Sequence, residues 1–365
     1  MPLTSQDWLS RIRALPLTRR VRIMNVCGGH ERAISLAGLR GALPQQIELI
    51  PGPGCPVCVC PEEDVYQAIQ LALQQDIILV AFGDMLRVPV NVAKGAVHTL
   101  EQAKAQGADI RAIASPREAV RIARENPAHT IVFFAAGFET TCAPVAAMLL
   151  EGVPKNLLLL LSGRLTWPAV AMLLASGTPG FDALIAPGHV ATIMGPEQWQ
   201  FVVAQHGLPA AVAGFTPESL LAALYSVLRQ LLEQQYFLDN CYPELVRPGG
   251  NPAAQATLEQ ALQVTDAEWR GIGVIPASGF ALRAAFVEHD ARVKFPGLEA
   301  RGRKRAGQMP PGCGCAQVVL GKIYPNQCKL YGAACTPRHP IGPCMVSDEG
   351  ACRIWWAGGV REQAA

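Results

Sequence analysis

Cysteines dominate the chemistry open to this chain, which contains 12 of them in 365 residues. Cys27 stands alone, with His30 three residues later, and Cys55 and Cys58 form a CxxC motif followed by Cys60. Six more lie near the C-terminus, namely Cys313, Cys315, Cys328, Cys335, Cys344 and Cys352. Thiols at this density serve as disulfides, as ligands of zinc or of an iron–sulfur cluster, or as redox catalysts.

The cellular compartment in which the protein resides narrows these possible uses of the thiols. The first 22 residues carry no continuous apolar core of the kind a secretory signal has. The apolar stretch 131–150 contains Glu139 and Pro144 at its centre, which indicates a buried strand and a helix rather than a membrane span. We therefore expect a cytoplasmic protein that is not bound to membranes. Thiols stay reduced there, which favours metal or redox use over a disulfide scaffold.

Charge argues against nucleic acid as a partner. The net charge is only +2, which provides no strong basic field. The one basic cluster, residues 301–305, is short and flanked by Gly and Pro, as is typical of a solvated loop.

Cys27 follows a predicted strand and precedes a predicted helix over residues 30–43. A helix N-terminus stabilises a thiolate, so we expect the pKa of this thiol to be lowered. His30 is placed to hold a proton or to orient a ligand. A lone cysteine is more often a small buried hydrophobic residue, but the neighbouring glycines and the His-Glu pair favour a functional role.

The Cys55-Pro-Val-Cys58 motif lies between a predicted strand and a predicted helix. Such a motif chelates a metal or cycles between dithiol and disulfide. The chain contains no second CxxC, which weakens a zinc interpretation of this one.

The C-terminal cysteines are spread over separate loops without a close pair of the zinc-ribbon kind. Four such thiolates suit a [4Fe–4S] cluster, and a structural zinc site remains the alternative. The segment after Pro296 is rich in Gly, Pro and Cys and has little apolar periodicity, so we expect a metal to organise it.

The elements that must position these residues alternate between short apolar runs and helical patterns, which predicts α/β architecture with parallel sheets. The predicted strands are Arg22–Val26, Ile47–Ile50, Ile77–Phe82, Asp109–Ala114, Thr130–Ala135, Asn156–Leu161, Ala183–Ala186 and Ala210–Ala213. Eight strands could form one sheet, but Pro127 interrupts the pattern midway, which favours two domains. We therefore predict α/β domains over 1–126 and 127–215, and a mainly helical, cysteine-rich region over 216–365.

Beyond residue 216 the sequence predicts helices over Pro217–Gln235 and Ala253–Val264, and few strands. Upstream, four predicted strands end in Gly and a polar group, at 81–84, 135–141, 186–189 and 213–216. Parallel strands of a doubly wound sheet end at one edge, where ligands bind. No nucleotide-binding glycine fingerprint follows any strand, so a nucleotide cofactor is not supported.

Together these motifs resemble the HypD family of [NiFe]-hydrogenase maturation proteins. The resemblance rests, in order along nearly the whole chain, on CGGHE from Cys27, GPGCPVC through Cys58, GFETT around Glu139, PGHV around His189 and the C-terminal cysteine series. It implies two related α/β domains and a third region that carries a [4Fe–4S] cluster.

The resemblance also implies partners and a cargo. HypD proteins form a complex with the small chaperone HypC, on which the Fe(CN)₂CO unit of the hydrogenase is assembled. Cyanide arrives from HypE, and HypF in turn supplies HypE by carbamoylating it.

Residue roles follow from the same resemblance. Cys27 would hold the iron together with a cysteine of HypC, and Cys55 with Cys58 would form a redox pair near the cluster. His189 and Glu139 would line the cleft. The implied cluster ligands are Cys313, Cys328, Cys335 and Cys352. Cys315 and Cys344 are alternative ligands, and Cys60 has no assigned role.

Two other functions remain open from the residues. One is a free-standing dithiol–disulfide oxidoreductase fed by the cluster, which would not need Cys27. The other is a zinc-stabilised interaction module without chemistry of its own. Whether the chain is an enzyme or an assembly scaffold with thiol redox activity is likewise open.

Overall fold

The computed structural model of the chain describes residues 3–177, 179–298 and 309–364. The basic cluster at 301–305 lies outside these residues. No helix in the described ranges has the length and apolar character needed to cross a membrane.

Two sheets form the frame of the molecule, and all eight predicted strands are present with shifts of a few residues at their ends. The strands are β1 Val21–Asn25, β2 Ile47–Pro51, β3 Ile77–Phe82, β4 Ile110–Ile113, β5 Thr130–Gly137, β6 Leu157–Arg164, β7 Ala183–Pro187, β8 Ala210–Ala213, β9 Leu238–Asn240, β10 Leu262–Trp269 and β11 Gly273–Leu282. Sheet I has the order β2-β1-β7-β8-β9 and is parallel throughout. Sheet II has the order β10-β11-β6-β5-β3-β4. Its β4, β3, β5 and β6 are parallel, whereas β11 and β10 add an antiparallel edge.

The division between the sheets does not follow the predicted boundary at residue 126. Strands β3 and β4 precede that residue, yet they pair with β5 and β6 of sheet II, while β7 and β8 return to β1 in sheet I. Each sheet is thus built from separate stretches of chain. A break in the local pattern, such as the one at Pro127, marks a turn but does not show which strands pair.

The helices cover both sheets and fill the connections between strands. They are α1 Ser5–Arg13, α2 Gly28–Leu36, α3 Leu39–Ala42, α4 Pro56–Val59, α5 Glu62–Ala72, α6 Leu100–Ala105, α7 Pro116–Glu125, α8 Glu139–Leu150, α9 Thr166–Ala175, α10 Gly188–Met194, α11 Gln200–Ala204, α12 Pro217–Glu233, α13 Pro252–Ala261, α14 Ala291–Lys294, α15 Cys315–Val319 and α16 Ala351–Ala357. The predicted helix over 30–43 is two helices, because Gly38 adopts a left-handed conformation (φ +62°) between them.

The expectation that strands largely stop after residue 216 is wrong. The predicted helix Ala253–Val264 ends at Ala261, and the chain then enters the β10–β11 hairpin. This hairpin joins sheet II through β6, at Gly279 and Phe280.

The cysteine-rich C-terminal region, residues 309–364, has short helices and loops, as expected. It shares a core with sheet II: Val318, Tyr331 and Met345 are buried together with residues of α4, α5 and β3. Helix α16 packs against α2, so the cysteine-rich region contacts the first βα unit of the chain, formed by β1 and α2.

Candidate functional site

A small cavity of about 130 Å³ lies where strand ends of the two sheets meet. Sheet I contributes residues after β1, β2, β7 and β8, and sheet II contributes residues after β5 and β6. The lining residues include Cys27, Thr140, His189, Phe215 and Glu349. Three of the four glycine-containing strand ends singled out in the sequence therefore line one cavity, as expected if they lie at one edge.

The fourth strand end lies beside the cavity. Asp84, after β3, accepts a hydrogen bond from the Ser347 hydroxyl at 2.8 Å and binds the segment that carries Glu349. The C-terminal region thus closes the cavity from a third side.

Cys27 is half-buried and caps α2. Burial, followed by the nearby Glu349 carboxylate, raises the pKa of its thiol to about 12. The predicted lowering by the helix N-terminus is wrong, because the backbone N–H groups of Gly29 and His30 offset burial only in part. A cation bound at the Cys27 sulfur would offset the cost of burying its negative charge and so favour the thiolate.

Glu349 is a site residue that the sequence motifs did not reveal, and Phe215 lies in the predicted strand end 213–216 but was not named there as a site residue. Burial, and then the negative charge of Asp84, raises the pKa of the Glu349 carboxyl. The Phe215 ring lies between two imidazoles, 4.0 Å from the ring centre of His189 and 5.0 Å from that of His30. Neither residue belongs to a recognisable chemical motif, and only the tertiary structure brings them to Cys27.

His189 is exposed at the cavity, whereas His30 is fully buried behind it. The Nε2 of His30 lies 2.9 Å from the carbonyl oxygen of Ala213, and its Nδ1 has no partner among the described residues. Burial lowers the pKa of His30 to about 4. Burial also lowers the pKa of His189. Both rings are therefore neutral near pH 7.

Glu139 is brought beside the cavity but does not line it. Its buried carboxylate accepts hydrogen bonds from the N–H and the hydroxyl of Thr166, each at 2.7 Å. Burial raises its pKa to about 6, against these hydrogen bonds. Glu139 therefore ties the start of α8, next to the lining Thr140, to the start of α9.

The CxxC loop touches Cys27 directly. Gly54 approaches so closely that a Cβ there would lie 1.5 Å from the carbonyl oxygen of Val26, so only glycine fits. Its own carbonyl accepts a hydrogen bond from Gly28 N–H at 3.1 Å. Cys55 and Cys58 form a disulfide, with both residues at most 4% exposed. Helix α4, which begins inside this motif, packs against α15 and the turn Pro343–Met345 of the cysteine-rich region.

The cysteine-rich region brings together a set of sulfurs that differs from the implied ligand set. The Sγ atoms of Cys315, Cys344 and Cys352 lie within 4.8 Å of one another and are buried. Of these three, only Cys352 was in the implied set. A hydrogen bond with Cys315 lowers the pKa of Cys313, which places that thiol against the group as well.

Cys328 and Cys335 lie nearby and accept backbone hydrogen bonds. The Cys328 sulfur accepts one from Gly314 N–H at 3.2 Å, and the Cys335 sulfur accepts one from Ile341 N–H at 3.3 Å. Hydrogen bonds of this kind stabilise thiolates and tune iron–sulfur centres. Several soft ligands thus converge in a buried place, which fits zinc or an iron–sulfur cluster.

A larger cavity of about 540 Å³ lies at the β10–β11 hairpin and holds no cysteine. Charged residues that line this cavity pair with one another. Arg292 binds Asp64 at 2.8 Å, and Arg164 lies 3.6 Å from the same carboxylate. Behind it, Cys60 is buried 3.4 Å from the Ser162 hydroxyl. Burial raises the pKa of Cys60 to about 12, as expected of an unreactive core thiol.

Comparison with known proteins places the chain in one family. The family model "HypD: Hydrogenase formation hypA family" matches residues 4–359. Hydrogenase maturation factor HypD of Azotobacter vinelandii is 41% identical over 355 residues, covering 95% of this chain and 91% of the relative. HypD of Escherichia coli K12 is 37% identical over 342 residues, covering 93% and 89%. HypD2 of Bradyrhizobium diazoefficiens is 40% identical over 348 residues, covering 93% and 89%.

These matches extend across both sheets, the cavity at Cys27 and the cysteine-rich region, so they include every part of the candidate site. The chain belongs to the HypD family of hydrogenase maturation factors.

Proposed function

We propose that the chain is the scaffold on which the Fe(CN)₂CO unit of a [NiFe]-hydrogenase is assembled, in a cytoplasmic complex with a HypC-type chaperone. Cyanide reaches it from a HypE-type protein, which a HypF-type protein supplies by carbamoylation. The iron with its CN and CO ligands is the cargo of this reaction.

The single observation that carries the proposal is the position of Cys27 in the cavity at the meeting of the strand ends. Iron bearing CN and CO is a soft ion, and thiolate is its preferred protein ligand. Cys27 holds the iron together with a cysteine of the chaperone. The N–H groups of the lining loops offer donors to the cyanide nitrogens.

The acidic and basic groups around the cavity have distinct parts in this proposal. His189 faces the cargo as a neutral ring, and His30 holds Phe215 from behind. Glu139 keeps the Thr140 loop in place through Thr166. Glu349 faces Cys27 and takes up the thiol proton when the iron binds.

The redox part of the proposal uses the Cys55–Cys58 pair and a [4Fe–4S] cluster in the cysteine-rich region. Reduction of the disulfide to the dithiol takes two electrons and two protons, and the cluster, when bound, supplies electrons one at a time. The resemblance implies Cys313, Cys328, Cys335 and Cys352 as its ligands, whereas the sulfur distances favour Cys315 and Cys344 together with Cys352. Contact of α4 with α15 supports transfer between the two centres.

A free-standing oxidoreductase is the weaker candidate. Such an enzyme must expose a sulfur to its protein substrate. Cys55 and Cys58 are 4% and 2% exposed, so neither sulfur is open to a large partner.

Complementation tests the proposal. The chain is expected to restore hydrogenase activity to cells that lack their own HypD, whereas Cys27→Ala is expected to restore none. Cys241→Ala is the matched control, because that thiol lies after β9, away from the cavity. Full activity with Cys27→Ala would reject the scaffold role and favour the oxidoreductase.

A further inference from the structure

Arg270 lies at the turn of the β10–β11 hairpin and is 1% exposed. Its backbone N–H donates to the carbonyl of Val59, the last residue of α4, at 3.0 Å. The next residue, Gly271, has φ +70°, and a Cβ there would lie 3.0 Å from the Cβ of Ala316 in α15. The hairpin turn therefore packs between α4, the helix of the CxxC motif, and α15, the helix that begins at Cys315.

The guanidinium of Arg270 is only partly satisfied. One nitrogen donates to the carbonyl of Pro89 at 2.6 Å. The Nε and the other terminal nitrogen are buried and have no hydrogen-bond partner among the described residues. A buried cation with two free donors is costly unless an anion faces it.

The acidic groups that act on this charge are Glu62 and the thiols of Cys60, Cys315 and Cys313. Glu62 is fully buried and accepts a hydrogen bond from the backbone N–H of Asn91. Two of the three thiols belong to the sulfur group of the cysteine-rich region. Their conversion to metal-bound thiolates would add negative charge, beyond that of Glu62, around a guanidinium with two unpaired donors.

We propose that Arg270 is a positioning residue that sets the reduction potential of the metal–thiolate centre in the cysteine-rich region, while it holds the CxxC helix beside that centre. This inference rests on the proposed presence of an iron–sulfur cluster there. One-electron reduction adds one negative charge to the centre and breaks no bond, and the electron comes from an external low-potential reductant. A fixed cation nearby stabilises the reduced state more than the oxidised state, so it raises the potential.

Potentiometric titration of the anaerobically purified, metal-loaded protein tests the inference, with dithionite as reductant and the spectrum of the reduced centre as readout. Arg270→Met and Arg270→Gln are expected to favour the oxidised state at least tenfold relative to wild type, a shift of about 59 mV toward more negative potential for one electron. Arg270→Lys keeps the charge and is expected to stay closer to wild type than either neutral variant.

Two controls separate charge from packing. Glu62→Gln removes a negative charge that acts on Arg270 and is expected to shift the potential in the opposite direction. Arg121→Met removes an exposed cation that pairs with Glu125, and is expected to leave the potential unchanged.

The outcomes distinguish this inference from the proposed function. An unchanged potential in the neutral Arg270 variants overturns the inference, as does a shift of the Glu62 variant in the same direction as theirs. If the Arg270 variants lose their metal, the Glu62→Gln titration decides alone, and absence of a positive shift overturns the inference. A wild-type protein without a reducible centre overturns both the inference and the cluster. The expected shifts in a protein that fails complementation would reject only the scaffold role.

Discussion

At the scale of single residues, some groups line the cavity at Cys27 and others hold its lining residues in place. Cys27, His189 and Glu349 line the cavity, whereas Glu139 does not line it and binds the lining residue Thr166. The two sets are expected to respond differently to substitution. We expect loss of a residue that lines the cavity to change the chemistry of the site. We expect loss of a residue that only holds the lining in place to change the stability of the fold.

Glu139→Gln is expected to change the pH dependence of stability. The pKa of Glu139 is raised from 4.5 to about 6, so the folded state binds this proton more tightly than the unfolded state. The protonated carboxyl therefore stabilises the folded state fully below about pH 4.5, and this stabilisation is lost as the pH rises through about 6. At about 1.4 kcal/mol per pKa unit, the free energy of unfolding of the variant relative to wild type should rise by about 2 kcal/mol from pH 4.5 to 7.

Urea denaturation of the metal-loaded proteins over this pH range measures that difference. Glu118→Gln is a suitable control, because that carboxylate belongs to the half-buried capping box of α7, away from Glu139 and Thr166. A difference between Glu139→Gln and wild type that stays constant with pH would show that the carboxyl titrates normally.

Some site residues could be predicted from sequence and others could not. Cys27 and His189 stand out because thiols and imidazoles beside glycines after strands have few structural uses. Glu349 has no such local signal, and Phe215 follows a glycine after a strand but carries no reactive group, so the roles of both depend on contacts between distant parts of the chain. The pKa of Cys27 was predicted in the wrong direction, because a sequence pattern shows the helix start but not the burial around it.

At the scale of elements, the choice of cluster ligands depends on how short helices and turns converge. The implied set favoured Cys352 over Cys344, but both sulfurs lie in one buried group with Cys315. We therefore expect Cys344→Ala and Cys352→Ala both to lower bound iron and inorganic sulfide, with loss of visible absorption. Iron and sulfide analysis after anaerobic purification measures this, with Cys241→Ala as control.

The opposite pattern would restore the set implied by resemblance. Full iron in Cys344→Ala, together with loss of iron in Cys328→Ala and Cys335→Ala, would contradict the ligand group that the sulfur distances favour.

Helix α16 links the cysteine-rich region to the helix that follows Cys27. The Trp355 indole N–H donates to the Glu31 carboxylate at 2.7 Å, and Arg40 binds the same carboxylate at 2.7 Å while lying over the Trp355 ring. Trp355→Phe keeps an aromatic ring at this position but is smaller than the indole and removes the N–H that makes the hydrogen bond. We expect it to cost about 1–2 kcal/mol and to speed hydrogen exchange in α2, because the bond is to a buried charged group.

Hydrogen exchange followed by mass spectrometry measures this effect. Trp356→Phe is the matched control on the same helix, because Trp356 packs on Tyr331 and not on Glu31. Equal protection of α2 in wild type and Trp355→Phe would show that the two regions are not coupled through this contact.

Elements with continuous apolar patterns could be predicted from sequence, and the β10–β11 hairpin could not. Strands β3, β5 and β6 are buried on both faces and appear as apolar runs. Strand β10 lies at a sheet edge with Val264 and Thr265 exposed, so it has no such run. Pairing with β11 decides its structure, and local propensity does not.

At the scale of the whole molecule, the interleaved path of the chain builds the site. The chain leaves sheet I after β2, forms four strands of sheet II, and returns to sheet I at β7. Ends of β1, β5, β7 and β8 therefore meet at one cavity, which the C-terminal region closes. This pairing is a long-range property, so the sequence predicted the α/β class but placed the boundary at residue 126.

Infrared spectroscopy of the anaerobically purified complex with its HypC-type chaperone tests the central claim most directly. With wild-type chain we expect CN and CO stretching bands of bound iron, which shift on ¹³C labelling. With Cys27→Ala we expect these bands to be absent, while the visible absorption of the cluster and the fold are retained. CN and CO bands of undiminished intensity in the Cys27→Ala complex would contradict the assignment of Cys27 as the ligand that holds the iron.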